Sequence, residues 1–190
     1  MEAFLLSTGI VALAEMGDKT QLLSFVLAAR YRRPWPIALG ILLATLANHA
    51  FAAAVGEWVV GLLGKDALRW VLGMSFLAMA AWMLVPDKLD SAHAGKERFG
   101  VLGTTLVAFF LAEMGDKTQI ATVALAAKYA AFGAVVSGTT LGMMLANVPA
   151  VLIGDRLADR IPLRLTRVVA AGTFAILGVL ILLDLTWPSA

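Results

Sequence analysis

The chain has 190 residues and no cysteine, and this absence limits its chemistry. Without a thiol there can be no disulfide, no thiolate ligand and no iron–sulfur cluster. Any metal ion must therefore be held by oxygen atoms or by the two histidines, His49 and His93. We expect no resident cofactor.

Charged residues are also scarce, since Asp, Glu, Lys and Arg make up 15% of the chain, against about 25% in soluble domains. Hydrophobic residues account for 61%, and the mean hydropathy is +0.86. A chain of this length has room for about six spans of about 20 residues and little else. The composition predicts an all-α integral membrane protein in a lipid bilayer, with no soluble domain.

The net charge of +2 does not indicate a nucleic-acid partner, because the basic residues lie mostly in short loops.

Apolar runs between turn signals predict six transmembrane helices, over residues 3–29, 35–63, 67–85, 100–128, 131–154 and 165–187. Ala12-Leu13-Ala14 is similar to a signal-peptide cleavage site, but no basic residue precedes it. We interpret the first segment as an uncleaved helix.

A motif is repeated in this hydrophobic chain. Residues 15–31 read EMGDKTQLLSFVLAARY and residues 113–129 read EMGDKTQIATVALAAKY, with eleven of seventeen positions identical. The same offset relates Gly40 to Gly138 and Phe76 to Phe174. We therefore predict two three-helix repeats, 1–85 and 100–190, joined by a polar cytoplasmic linker over 86–99. Because each half has an odd number of spans, the second repeat is inverted, as in many secondary transporters.

The distribution of basic residues predicts the orientation, because loops rich in Lys and Arg stay in the cytoplasm. Ten basic residues fall in loops on the side of the linker: Arg30, Arg32, Arg33, Lys88, Lys96, Arg98, Arg156, Arg160, Arg164 and Arg167. The opposite side has three: Lys65, Arg69 and Lys128. Both termini should then lie outside, on the periplasmic face of an inner membrane.

Each motif copy places two carboxylates and an ammonium in an apolar segment, where each costs about 2.5–3.5 kcal/mol at the bilayer centre. On a regular helix Glu15, Asp18 and Lys19 would share one face, Thr20 would point away and Gln21 would lie at the edge. Gly17 would permit local unwinding. These groups could form an ion site, or acid–lysine pairs could merely hold helices together.

The potential ligands are oxygen atoms, which suit Mn²⁺, Ca²⁺ and Mg²⁺. The predicted metal site consists of the four motif acids Glu15, Asp18, Glu113 and Asp116. Nearby side chains that could add oxygen ligands are Gln21, Gln119, Thr20, Thr118, Asn48 and Asn147. Four carboxylates and the two ammoniums of Lys19 and Lys117 sum to a charge of −2, which one divalent cation would neutralise. Crowded carboxylates can share protons, so the acids and the two lysines could couple cation transport to protons.

Other polar residues carry weaker signals. Asn48 and Asn147 occupy equivalent positions, where they could line an ion path or form interhelical hydrogen bonds. His49 has no counterpart, because Val148 stands at the matching place, and we interpret it as a packed or interfacial residue. His93 is expected to be solvated in the linker. Glu57 and Asp155 could be gate groups or simple interfacial charges.

The two copies of E-M-G-D-K-T match the pattern E-x-G-D-K-[ST], so the chain resembles the Gdt1-type family of divalent-cation/proton exchangers. This family was formerly called uncharacterised protein family 0016 and includes transmembrane protein 165. The resemblance covers essentially the whole chain. It implies transport of Mn²⁺ or Ca²⁺ against protons, with the motif acids as the cation site, and bacterial members look like manganese exporters.

We therefore expect a bacterial secondary transporter that exports Mn²⁺ across the cytoplasmic membrane in exchange for protons, and not an enzyme. A Ca²⁺/H⁺ antiporter and a divalent-cation channel remain as alternatives. An intramembrane hydrolase could use a carboxylate pair, but the chain has no second constellation to support one. The oligomeric state, the stoichiometry and the conformation stay open.

Overall fold

The computed structural model describes residues 1–85, 100–153 and 163–184, and the regular elements in these ranges are all α-helices. They are α1 (Glu2–Glu15), α2 (Lys19–Tyr31), α3 (Pro34–Leu62), α4 (Lys65–Met83), α5 (Gly100–Glu113), α6 (Lys117–Tyr129), α7 (Phe132–Ile153) and α8 (Leu163–Leu182). The predicted all-α class is confirmed. The predicted linker 86–99, with His93, lies outside the described residues, as does Asp155.

Two of the predicted helices are wrong as continuous segments, because 3–29 and 100–128 are each broken at the motif. α1 ends before Gly17 and α2 begins after it, and the same break separates α5 from α6 at Gly115. Gly17 has φ 82° and Gly115 has φ 75°, a left-handed conformation that only glycine adopts without a steric penalty. The predicted local unwinding at Gly17 is confirmed, and it recurs at Gly115.

The helices that follow the breaks end alike in the two halves. α2 and α6 both terminate in a left-handed residue, Arg32 with φ 52° and Ala130 with φ 47°. In each case the backbone N–H of that residue donates to the carbonyl four positions earlier, Ala28 or Ala126, at 2.9 Å. Such a cap satisfies one of the last helical carbonyls. The 98-residue offset of the sequence is thus repeated in local backbone structure.

Equivalent helices also pack alike, because α1 lies against α7 as α5 lies against α3. Two equivalent glycines lie at these contacts. A Cβ at Gly40 would lie 2.8 Å from the Cβ of Thr105, and one at Gly138 would lie 3.0 Å from the Cβ of Ser7. Small residues allow this backbone proximity, which is typical of helices packed in a membrane.

The third helices of the two halves, α4 and α8, pack against each other. The equivalent Phe76 and Phe174 are both fully buried at this contact, with ring centroids 5.9 Å apart. Gly73 and Gly178 also meet there, since a Cβ at either would approach the carbonyl oxygen of the other. The α4–α8 contact therefore joins the two halves along equivalent faces.

Among the described residues, two helices are long and apolar enough to cross a membrane by length and composition: Pro34–Leu62 and Phe132–Leu152. Gly100–Glu113 and Arg167–Leu182 are apolar but shorter. The breaks at the two motifs account for part of the difference from the six predicted spans. They divide two of those spans into α1, α2, α5 and α6, which have 13 or 14 residues each.

Candidate cation site

The two helix breaks bring acidic side chains from both halves of the chain together. Glu15, Glu113 and Asp116 each offer one carboxylate oxygen, and these three atoms lie within 4.8 Å of one another. All three residues are buried, with at most 2% of their surface exposed. Asp18 is also buried but does not belong to this group of three. We call the group of Glu15, Glu113 and Asp116 the acidic cluster.

The lysines pair with aspartates of the opposite motif copy. Lys19 Nζ lies 2.9 Å from Asp116 Oδ1, and Lys117 Nζ lies 3.4 Å from Asp18 Oδ1. Each lysine thus bridges from one half to the other. These pairs do join helices, as one interpretation of the sequence proposed, but they leave the two glutamates without a lysine partner of this kind.

The motif threonines point toward the glutamates. Thr20 Oγ1 donates a hydrogen bond to Glu15 Oε2, and Thr118 Oγ1 donates to Glu113 Oε1. The expectation that Thr20 would point away is wrong, because it assumed a regular helix through residues 15–20. The break at Gly17 turns the start of α2 and brings the hydroxyl back to the carboxylate.

The motif glutamines stabilise the breaks. Gln21 Oε1 accepts a hydrogen bond from the Gly17 backbone N–H at 2.9 Å, and Gln119 Oε1 accepts one from Gly115 at 2.6 Å. Gln21 Nε2 also donates to the Ala146 carbonyl of α7 at 3.0 Å. Both amide oxygens are therefore engaged with the backbone in this structure.

The equivalent asparagines make hydrogen bonds within and between helices. Asn48 Nδ2 donates to the Phe110 carbonyl at 3.1 Å, which joins α3 to α5. Asn147 Oδ1 accepts from Ser24 Oγ at 2.8 Å, and its Nδ2 donates to the Met143 carbonyl at 3.1 Å. The interhelical role considered from the sequence is confirmed for both asparagines.

His49 lies at the acidic cluster, which the sequence analysis did not anticipate. It is fully buried in α3, and its Nε2 lies 3.9 Å from Glu113 Oε1. The packed alternative is confirmed and the interfacial one is wrong. One sequence feature could have indicated this position. His49 directly follows Asn48, which has an equivalent in the second half, Asn147, and was itself a candidate site residue.

Glu57 lies away from the cluster, near the end of α3. Its Oε1 accepts a hydrogen bond from the Phe132 backbone N–H at 3.0 Å, so it caps the start of α7. A carboxylate is favoured at a helix N-terminus, because the first N–H groups have no helical partner there.

The cluster has oxygen atoms available for a cation. Glu15 Oε1, Glu113 Oε2 and Asp116 Oδ2 are buried and have no hydrogen-bond partner among the described residues. With each lysine paired to an aspartate, the two ionised glutamates would leave a charge of −2. Isolated buried charges are costly unless paired or metal-bound. The arrangement therefore suits a hard divalent cation, which prefers carboxylate oxygens.

The family profile of the divalent cation/proton antiporter GDT1 matches the chain over residues 3–91 and 101–188. A Vibrio cholerae protein named "Putative manganese exporter" is 56% identical over 94% of this chain and 89% of its own length. GDT1-like proteins of Synechocystis and Arabidopsis thaliana are 29% and 27% identical over 85% and 94% of this chain, and over 87% and 94% of their own lengths.

No solved structure matches the chain. The sequence resemblance is nevertheless confirmed, because the profile matches nearly all residues and includes both motif copies. The chain belongs to the GDT1 family of divalent cation/proton antiporters, which are membrane transporters and not enzymes.

Proposed function

We propose that this protein exports Mn²⁺ across the cytoplasmic membrane in exchange for protons, through a single cation site shared by its two halves. The observation that carries the proposal is the buried acidic cluster, in which oxygens of Glu15, Glu113 and Asp116 lie within 4.8 Å of one another. The family supplies the reaction class, and the name of the Vibrio cholerae relative supports manganese as the transported ion.

Glu15 and Glu113 are the principal ligands in this proposal. They come from equivalent positions, and each is oriented by its own motif threonine. Asp116 adds a third carboxylate, and its Oδ1 stays paired with Lys19. Asp18 pairs with Lys117 and completes the charge balance across the interface.

Proton exchange follows from the cost of leaving this cluster without positive charge. When the cation departs, buried carboxylates need another partner, since an uncompensated charge inside a membrane protein is expensive. A proton is the smallest such partner, and neighbouring carboxylates can share it. Lys19 and Lys117 assist by holding the aspartates, so that the glutamates alternate between cation and proton.

The architecture we propose is six spans in two inverted three-helix repeats, residues 1–85 and 100–190, with a cytoplasmic linker over 86–99. The two segments matched by the family profile support this division. Equivalent glycine contacts and equivalent helix caps support the repeat. Tyr129 donates to Glu2 at 3.4 Å, so the start of α1 lies beside the end of α6, as inversion requires.

We further propose that both termini face the periplasm of a cell inner membrane. The support is the asymmetry of basic loop residues in the sequence, ten against three. Since the chain has no cysteine, single cysteines can be introduced without background. A cysteine inserted between Met1 and Glu2 should react with a membrane-impermeant maleimide on intact cells. A cysteine that replaces Ser91 should react only after the cells are permeabilised. The reverse pattern would overturn the orientation.

The function is tested in proteoliposomes that contain the purified protein and a pH-sensitive dye. A proton gradient should drive Mn²⁺ accumulation against its own gradient, and Mn²⁺ entry should move protons the opposite way. Larger flux with Ca²⁺ than with Mn²⁺ would favour the calcium antiporter. Cation flux without proton movement or uphill accumulation would instead indicate a channel.

A further inference from the structure

The imidazole of His49 is buried, and its two nitrogen atoms have no hydrogen-bond partner among the described residues. It lies on α3, which packs against both α5 and α6, the helices on either side of the second motif break. None of its surface is exposed. Buried polar atoms in folded proteins are nearly always paired, so this imidazole requires an explanation.

The distance between His49 and the cluster fits shared metal coordination better than a direct bond. Nε2 lies 3.9 Å from Glu113 Oε1, beyond hydrogen-bonding range; this oxygen also accepts the hydrogen bond of Thr118. Two ligand atoms that each lie about 2.1 Å from a metal ion are about 3 Å apart when adjacent and about 4.2 Å apart when opposite. The observed separation falls between these limits.

We propose that His49 Nε2 is a nitrogen ligand of the transported cation, beside Glu15, Glu113 and Asp116, and that it favours Mn²⁺ over Ca²⁺ and Mg²⁺. This inference rests on the proposed function, because it assigns a further residue to the same cation site. It adds a chemically different ligand to a set that the motifs make entirely of oxygen.

The selectivity follows from ligand chemistry. Ca²⁺ and Mg²⁺ are bound in proteins by oxygen atoms, and Mg²⁺ releases its water reluctantly. Imidazole binds first-row transition metals, whose affinity for nitrogen exceeds that of the alkaline-earth ions. One nitrogen among carboxylates therefore lowers the relative affinity for Ca²⁺ without excluding Mn²⁺, which also accepts oxygen ligands.

The repeat shows that this nitrogen is an addition to the symmetric site. The equivalent position on α7 is Val148, so the second half cannot supply a matching imidazole. Replacing His49 by valine gives both halves the same residue there. The variant His49→Val therefore removes the nitrogen while introducing a side chain that the chain already places at the equivalent position.

The direct test is pulsed electron paramagnetic resonance of Mn²⁺ bound to the purified protein. The natural protein should show ¹⁴N modulation from imidazole, because Mn²⁺ is paramagnetic and nearby nitrogen nuclei couple to it. His49→Val should abolish the modulation and His93→Val, which changes the chain's other histidine, should retain it. The His93→Val protein keeps His49 as its single histidine. Labelling it with ¹⁵N-histidine should replace the ¹⁴N modulation by ¹⁵N modulation without removing His49.

Each outcome separates the two proposals. Mn²⁺ bound without any imidazole coupling would overturn the role of His49 and leave the carboxylate site intact. Failure of the natural protein to bind Mn²⁺ would remove the proposed function and this inference with it. Coupling that persists in His49→Val and disappears in His93→Val would assign the nitrogen ligand to His93 and would also overturn the inference.

Transport selectivity gives a second measurement in the same proteoliposomes. Loss of one ligand should lower the ratio of Mn²⁺ to Ca²⁺ transport by about tenfold or more, since even indirect partners of a metal contribute 10–100-fold. His49→Gln should behave like His49→Val, because its amide does not restore imidazole. An unchanged ratio in both variants would contradict the selectivity part of the inference.

Discussion

The two motif copies have nearly the same sequence but different surroundings. Lys117 is buried, with 3% of its side chain exposed, whereas the side chain of Lys19 is 24% exposed. The ends of the following helices differ in the same sense, since Lys128 is buried and Arg30 is exposed. The lysine and the end of the helix that follows it are therefore more completely enclosed in the second copy, whereas Gly115 and Gln119 are more exposed than Gly17 and Gln21.

The difference follows the helix contacts, because α6 lies more extensively against α3 than α2 does against the equivalent helix α7. The third helix of each half adds to it. α4 packs against α6, and α8 packs against α1. The contacts that symmetry would add, α8 with α2 and α4 with α5, are at most marginal within the described residues. Both third helices thus cover the same end of the broken pairs. Sequence identity determines the local break and its hydrogen bonds, whereas the packing of other helices decides how far each lysine is shielded.

The largest expected effect comes from the two glutamates, Glu15 and Glu113. Because both are buried equivalents in the two motif copies, we expect their replacement to reduce transport equally. Glu15→Gln and Glu113→Gln should each reduce Mn²⁺ transport at least about 100-fold, because each removes a charge and a proposed direct ligand. The double variant should be no worse than either single one, since residues that act as a unit are not additive.

The matched control for the glutamates is Glu57→Gln, which changes a carboxylate outside the cluster. It should transport normally at equal protein level. Partial losses that add in the double variant would mean two independent half-sites.

The lysines should show the difference between the two copies. Lys117→Met leaves Asp18 buried without its lysine, and breaking a buried ion pair costs about 3–5 kcal/mol. Lys19→Met also leaves a buried carboxylate, that of Asp116, without its lysine, but it should cost less because Lys19 is partly exposed and this pair is less completely removed from water. Thermal unfolding in detergent compares the two variants directly. Equal destabilisation would show that the difference in burial has no energetic consequence.

The helix contacts at the two equivalent glycines should respond alike. Gly40→Ala and Gly138→Ala each place a Cβ too close to the opposite helix, and such overpacking costs about 1–3 kcal/mol. Gly9→Ala is the control, because a Cβ there would meet no atom within 4 Å. Unfolding temperatures should fall for the first two variants only. A loss confined to one of them would place the asymmetry in the helix contacts as well.

The smallest effect is expected from the threonines that orient the glutamates. Thr20→Val and Thr118→Val each remove one donor to a glutamate and should weaken Mn²⁺ binding about tenfold, by analogy with other groups that orient metal ligands. Thr122→Val is a buried control whose hydroxyl bonds only to the Thr118 carbonyl among the described contacts. Titration calorimetry should give similar losses for the first two and little change for the third.

Much of the fold was predictable because ionisable residues inside apolar segments are costly and therefore informative. The proximity of acids from both halves and the unwinding at Gly17 follow from this cost and from glycine's conformational freedom. The approximate helix positions follow from the apolar runs between turn signals. The pairing of Lys19 with Asp116, rather than with an acid of its own copy, was not predictable. It depends on how the two halves are placed against each other.

Two other features were missed for distinct physical reasons. The direction of Thr20 was wrong because helical geometry does not continue through a break. His49 was not predicted as a site residue because comparison of the repeats favours residues that occur in both halves. The equivalent position of the second half holds a valine, Val148. A residue present in only one half can still lie at a shared site.

If both halves build one cation site, each chain binds a single Mn²⁺ ion. Equilibrium dialysis with metal analysis should therefore give one ion per chain for the natural protein and none for Glu15→Gln or Glu113→Gln at the same free Mn²⁺. Two ions per natural chain, or one ion retained by either variant with unchanged affinity, would show that the halves do not share a site.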